Sequence, residues 1–254
     1  MVNQKLFDQS ARSDFNQNGF VVIRRYQSTE EAQRLRNEVE RYIAKVLPAL
    51  SSEAAFYEDK QRPESLMRLE RMDRHDTYFD QLLRNDCSTT LAEILLDDKA
   101  IPRDAAMFAK APQIGTPTPP HQDGFYFKIE PNEALTIWIP IDPVDETNGC
   151  VRYVPGSHRR GLRHHEVSGV FGFSLGITDH GGEDQRTEVP VCLQPGDAVI
   201  HHSLTIHRTD ANRTDCLRRA IGLVYYAKRS KKDLSAAEHR QKSIYKQWKE
   251  NGRL

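Results

Sequence analysis

The amino-acid sequence predicts a mainly β fold, a sandwich or barrel flanked by helices, and three observations carry that reading. From about Ala105 onward, apolar runs of strand length recur between clusters of Gly, Pro, Asn and Asp, the texture of short antiparallel strands joined by turns. Before that point the apolar residues instead repeat every three or four positions, as on one face of a helix. The four cysteines among 254 residues are widely spaced with no CxxC pair, so a chain of this length builds on a hydrophobic core with its thiols reduced.

Each element follows in order. Phe20-Val21-Val22-Ile23 reads as a short strand. Ser28, with Glu31 three residues on, forms a capping box, and Ala32, Leu35, Val39, Tyr42, Ile43 and Val46 trace a buried helical stripe that ends near Pro48. A second helical stretch covers 77–96, burying Phe79, Leu82, Leu83, Leu91, Ile94 and Leu95, with a break expected within 85–90. The strand runs are Met107-Phe108-Ala109, Leu135 to Ile139, Cys150 to Val154, Val189 to Leu193, Ala198 to Ile200 and Ala220 to Tyr226. No linker or repeat divides the chain. We therefore expect one domain, 1–254: a strand and helical region over 1–104, the β core over 105–228, and a basic C-terminal helix over 229–254. Leu234, Ile244, Tyr245 and Trp248 are its docking residues.

Composition narrows the function. Thirty-six basic residues balance 36 acidic ones, which argues against nucleic acid as a partner because phosphate affinity needs surplus Lys and Arg. No apolar run approaches the roughly 18 residues that span a bilayer, and the first residues lack an apolar signal core. A soluble cytoplasmic protein without membrane attachment is the expectation. The sequence leaves the oligomeric state open.

The chemistry concentrates at His121-Gln122-Asp123. On a strand, residues two apart share a face, so His121 and Asp123 can grip one metal ion, and a histidine from another strand completes a 2-His-1-carboxylate triad. The triplet alone decides little, since roughly one or two H-x-D/E triplets are expected by chance among this many His and acidic residues. A competitor, His164-His165-Glu166, sits in a Gly/Arg/His-rich connection and is set aside. The turn Pro195-Gly196-Asp197 launches a strand-like run ending at His207, a candidate third ligand. Eleven residues later Arg218 opens another strand, and its guanidinium suits a carboxylate through two parallel hydrogen bonds. Arg219, its neighbour, faces the other side and should leave carboxylate binding little changed.

Taken in order, HQD, LTIW, NGC, PGSH, GD, His207 and Arg218 resemble the phytanoyl-CoA dioxygenase (PhyH) family of Fe(II)/2-oxoglutarate oxygenases, from about Gly19 to Tyr226. The resemblance implies a double-stranded β-helix, the cupin-like jelly roll, buttressed by the N-terminal helices. It implies that His121, Asp123 and His207 hold Fe(II), that Arg218 binds the far carboxylate of 2-oxoglutarate assisted by Thr209, and that Trp138 lies beside that cosubstrate. Arg208 stands where the family has glycine. His202 resembles a second-layer histidine of the family, whereas His201 is expected to face solvent. With O2 as second cosubstrate, the implied activity is hydroxylation of an unactivated C–H bond in a small organic or acyl substrate, with release of succinate and CO2. A carboxylate at position 123 favours hydroxylation over halogenation, because family relatives that halogenate leave that position small.

Tyr126 and Phe127, together with Phe171 and Phe173, are candidates for a substrate pocket, and His158 could reach it. Arg152, Arg159, Arg160, Arg163, His164 and His165 could attract an acidic or CoA-like substrate. The rival reading is a non-oxidative cupin-like metal-binding isomerase or small-molecule binding module. Arg218 separates the two, since a non-oxidative site has no use for a carboxylate clamp.

Overall fold

Chain order begins with α1 (Gln9–Asn18), β1 (Phe20–Ile23), α2 (Thr29–Arg41), β2 (Ala55–Tyr57), β3 (Leu66–Leu69), α3 (Met72–His75), α4 (Thr77–Leu83) and α5 (Asp86–Leu96). The β-rich part follows: β4 (Ala100–Lys110), β5 (Thr118–His121), α6 (Gly124–Phe127), β6 (Ile129–Glu130), β7 (Ala134–Pro140), β8 (Val151–Tyr153), β9 (His165–Val170) and β10 (Phe173–Ile177). It closes with α7 (Glu183–Thr187), β11 (Val189–Val191), β12 (Ala198–His202), β13 (His207–Thr209), β14 (Arg218–Ala227) and β15 (Lys231–Lys232). The computed structural model describes residues 9–51, 53–170 and 173–232. The expected C-terminal helix with its docking residues therefore lies almost wholly outside the described residues, as do Phe171 and the Phe173 side chain.

Local chemistry sets the helix boundaries. The Ser28 hydroxyl accepts the Glu31 N–H at 3.2 Å while the Glu31 carboxylate accepts the Ser28 N–H at 2.7 Å, the expected capping box. Regular α-helix ends at Arg41 and continues as a wider turn over 42–46 and a tight turn over 47–49 that contains Pro48. The break in the second helical stretch falls at Arg84-Asn85, at the front edge of the expected window, because Asn85 caps the next helix by accepting the Ser88 N–H at 2.8 Å.

Two antiparallel sheets make the jelly roll. The larger runs β1-β12-β7-β14-β4-β3-β2, and the smaller β11-β8-β13-β5. Strands β1, β2 and β3 from the N-terminal region thus extend the major sheet, a pairing that their short sequences did not announce. Its strands bury both faces. From β7, Leu135, Ile137 and Ile139 join Ile200, Ile221 and Leu223 in the core shared with Leu35, Val39, Phe79, Leu83 and Leu91 of the helices. The alternate residue Trp138 joins Val199, Ala220, Cys150, Tyr153 and Leu193 in a second core between the sheets.

One polar anchor ties the layers together. Arg219 points out of the sheet and grips Asp142 through two hydrogen bonds of 2.9 and 3.0 Å, and Arg36 of α2 pairs with the same carboxylate at 3.0 Å. Arg219 does face away from Arg218, as expected. It is nonetheless buried and ion-paired, so it is no neutral control: truncating one partner of such a pair typically costs 3–5 kcal/mol.

Candidate active site

His121 ends β5, and His207 begins β13 directly opposite it in the register. Asp123 does not continue the strand. Its backbone is helical and it caps α6, so the side chain reaches His121 by a strand-to-helix corner rather than by strand alternation. The corner is pinned on both sides. The buried Gln122 side chain donates to Gly161 and Leu204 carbonyls at 2.9 and 2.7 Å and accepts the Arg163 N–H at 2.8 Å. Just after Asp123, Gly124 leaves room for the Asn132 amide, which donates to Gly124 O at 2.9 Å, whereas a Cβ there would lie 2.4 Å from Asn132 Oδ1.

The three side chains converge. One ligand atom from each of His121, Asp123 and His207 lies within 4.8 Å of the others, and among the described residues no other group of His, Cys, Asp or Glu does this. Each imidazole uses Nδ1 on a carbonyl two residues earlier, His121 on Pro119 at 2.9 Å and His207 on Thr205 at 3.0 Å. A carbonyl only accepts, so Nδ1 carries the proton and the lone pair sits on Nε2. Both Nε2 atoms face Asp123 Oδ1, at 3.6 and 3.7 Å, too long for hydrogen bonds and the spacing that an ion between them would bridge. Burial, reinforced by His121, holds His207 well below the ordinary histidine range, which keeps it neutral and able to ligate. Burial opposes ionisation of Asp123, yet the surrounding histidines hold its carboxyl well below the usual carboxylate range.

The other carboxylate oxygen is held from behind. Thr136 donates to Asp123 Oδ2 at 2.9 Å, and His201 Nε2 donates to the same oxygen at 3.1 Å. The Tyr153 hydroxyl meets His201 Nδ1 at 2.9 Å, and with Nε2 protonated, Tyr153 is the donor. This orients Asp123 so that Oδ1 alone faces His121 and His207. The assignment of the two neighbouring histidines is thereby reversed: His201 is buried at the site, whereas His202 turns towards His158 and Phe15. His158 lies beside Gly19 and does not reach the triad.

Arg218 lies beyond the triad between the sheets. It is 3% exposed, stacks over Trp138 at 5.6 Å and leaves Nε without a hydrogen-bond partner. It makes no ion pair among the described residues, and burial pulls its guanidinium down to about 10. A buried cation with donors to spare calls for an anion. Thr209 is buried on β13, where its hydroxyl accepts the Thr118 N–H at 3.2 Å. Lys110, opposite Arg218 in the register, is also buried, with its ammonium lowered to about 7 by burial and by Arg218. That second cation was not singled out from the sequence.

Tyr126 is partly exposed at the mouth, with its ring edge-on to His121 at 6.1 Å and its hydroxyl donating to Leu175 O at 2.7 Å. Phe127 packs on Tyr226 at 5.2 Å instead. The rejected His165 has a different use: its Nε2 accepts the Gln122 N–H at 3.1 Å and its ring stacks on Phe125 at 4.1 Å. Of the basic cluster, Arg160 and Arg163 are engaged by Asp184, and Arg152 by Glu146 and Asp210.

A cupin-like jelly roll that sets two histidines and a carboxylate before a buried arginine defines the class of metal-dependent dioxygenases. The family model for phytanoyl-CoA dioxygenase (PhyH) matches residues 15–220, and the chain belongs to that family. It is 29% identical over 228 residues to the peroxisomal phytanoyl-CoA dioxygenase of Homo sapiens, covering 83% of this chain and 65% of the relative. The Bos taurus counterpart is 30% identical over 224 residues, covering 83% and 66%, so the chain spans just under two thirds of the length of these relatives. Among solved structures, EvdO2 from Micromonospora carbonacea var. aurantiaca complexed with 2-oxoglutarate is 26% identical with a TM-score of 0.71, over 90% of this chain and 94% of that one. The carbocyclase SnoK superposes with a TM-score of 0.75 over 93% and 91% of the chains, at 22% identity, a likeness of fold. Among the described residues no helix is long and apolar enough to cross a membrane.

Proposed function

We propose that the protein is an Fe(II)- and 2-oxoglutarate-dependent dioxygenase that hydroxylates an unactivated C–H bond of a small organic or acyl substrate, using O2 and releasing succinate and CO2. His121, Asp123 and His207 would hold the iron, and the donor set fits it: two neutral imidazoles and one carboxylate oxygen form the set used by non-haem Fe(II) oxygenases. Bound there, iron supplies the activation of O2 that organic side chains cannot. The single observation that carries the reading is Arg218, buried and, among the described residues, without an anionic partner. A guanidinium of that kind recognises the far carboxylate of 2-oxoglutarate bidentately, Thr209 assists it, and Trp138 walls the cosubstrate. A metal-binding isomerase or binding module would leave that cation uncompensated.

The remaining residues position and exclude. Thr136, His201 and Tyr153 fix the Asp123 carboxylate, and the apolar core between the sheets keeps water from the cosubstrate end. Tyr126 shapes the substrate side, whereas Phe127 is turned onto Tyr226. The chain's relatives named phytanoyl-CoA dioxygenase support an acyl substrate. We place the enzyme in the cytoplasm, where its free cysteines stay reduced.

The test has two arms. Anaerobic Fe(II) plus 2-oxoglutarate should give a weak visible charge-transfer band, which the rival reading does not produce. A screen of small organic acids, amino acids and acyl thioesters should then find a substrate that raises succinate above its background and gains one oxygen atom. Stimulated succinate with an epimerised or cyclised product would retain the cofactors and overturn hydroxylation.

A further inference from the structure

The two cysteines that border the inner core stand opposite each other. Strands β8 and β11 pair with Val151 opposite Val191 and Arg152 opposite Pro190, so one further step brings Cys150 opposite Cys192. Proline has no N–H, which makes the Pro190 position a non-hydrogen-bonded pair, and the two-residue alternation of an antiparallel ladder makes the cysteine position another. The backbone agrees. The Cys150 N–H donates to Asp145 O at 2.9 Å and the Cys192 carbonyl accepts from Arg24 at 3.1 Å, neither bonding to the other. At such positions Cα atoms lie about 4.5 Å apart, inside the range of about 4.4–6.8 Å that a disulfide spans. The two thiols are also close enough for Cys192 to act on the ionisation of Cys150.

Their surroundings differ. Cys192 is exposed, whereas Cys150 is 1% exposed among Trp138, Val144 and Tyr153. Cys150 also lies close enough to Arg218 to act on its charge. One thiol is thus open to a dissolved oxidant, and its only cysteine neighbour across the ladder is shielded from it. Cys87 belongs to α5 and the exposed Cys216 to the loop before β14, and neither lies on β8 or β11.

We propose that Cys150 and Cys192 are a peroxide-sensitive modification site that closes into a reversible cross-strand disulfide. Cys192 sulfur, as thiolate, attacks one oxygen of a hydroperoxide. The O–O bond breaks, the leaving oxygen takes a proton as water or alcohol, and Cys192 becomes a sulfenic acid. Cys150 sulfur then attacks Cys192 sulfur, forming the S–S bond and breaking the S–O bond. The departing hydroxide takes up the Cys150 thiol proton as water. Two thiols give up two electrons and the hydroperoxide accepts them.

Hydrogen peroxide treatment of the whole protein, followed by thiol alkylation and digestion without reductant, decides the matter. Wild type should lose two of its four alkylatable thiols and yield one linked peptide pair containing Cys150 and Cys192, with dithiothreitol restoring both. Cys192 is exposed, so C192A should fold, and in it Cys150 should stay alkylatable after denaturation. In C150S, Cys192 should instead be trapped as a dimedone adduct. A Cys192–Cys216 link, oxidation of Cys192 without any linked peptide, or loss of the Cys150 thiol in C192A would each overturn the proposal.

Discussion

Replacing Arg218 by methionine should have opposite effects with and without cosubstrate. Arg218 is 3% exposed and makes no ion pair among the described residues, with its guanidinium pulled by burial to about 10, roughly two to three pH units below its ordinary value. Each unit of displacement corresponds to about 1.4 kcal/mol, so the charge costs the folded protein about 3 kcal/mol as an upper figure. R218M keeps the stem packed beside Trp138 and removes that cost, so without cosubstrate the variant should be more stable by about 1–3 kcal/mol. The same change deletes a charge-assisted pair in a dry site, a loss of roughly 2–5 kcal/mol, and 2-oxoglutarate should bind at least about 30-fold more weakly. At a ligand concentration about 100 times the wild-type Kd, wild type gains about 2.7 kcal/mol of stability and the variant less than about 1. Anaerobic thermal unfolding with Fe(II), with and without 2-oxoglutarate, reads both effects. R218K should recover part of the binding, since an ammonium keeps charge without the fork. A variant less stable than wild type without cosubstrate, yet stabilised as much by 2-oxoglutarate, would refute the clamp.

Three further outcomes follow from the same geometry. H201A frees Asp123 Oδ2 from one of its two donors and should weaken Fe(II) binding about 10–100-fold, while T136V removes the other and should act in the same direction; calorimetric Fe(II) titration that matches wild type would exclude this positioning role. Lys110 holds its proton in the unfolded chain up to about 10.5 but in the folded protein only up to about 7, so the unfolded state binds more protons between those values and stability rises with pH there. Wild type should therefore gain about 2 kcal/mol over K110M between about pH 7 and 9 in urea unfolding, and parallel pH profiles would show that Lys110 is solvated. Y126A should uncouple 2-oxoglutarate decay from product formation more than it weakens 2-oxoglutarate binding, checked by the ratio of succinate to hydroxylated product.

Local patterns made the capping box and the strands of the β core legible, because each depends on residues close in sequence, whereas the triad, with His207 far from His121 along the chain, is reached through the order of motifs that resembles the PhyH family. The histidine behind Asp123 was misplaced for a definable reason. His201 and His202 necessarily face opposite ways, and only the cross-strand register says which is inward: Thr136 lies opposite His201, and Trp138 opposite Val199. Trp138 faces the space between the sheets, so Val199 and His201 must do so too. Asp123 does meet the two histidines, but by a different geometry from the expected one, since the turn at Gly124 and Asn132, rather than a strand, brings it to His121. Lys110 and β1 to β3 needed pairing information that no local pattern carries.

The Asp142 anchor has a consequence for how the cosubstrate is met. Arg219 is tied outward to Asp142, and Arg36 of the covering helix holds the same carboxylate. The backbone at the start of β14 is thus fixed by a residue that never touches ligand, and its inward neighbour Arg218 is carried on a rigid mount. An arginine on a loose strand end would have to be ordered on every encounter, at about 0.5–1.5 kcal/mol for such a side chain. Here the ordering is completed during folding, and under the proposed clamp a substitution on a surface helix, at Arg36, would reach cosubstrate affinity without approaching the triad.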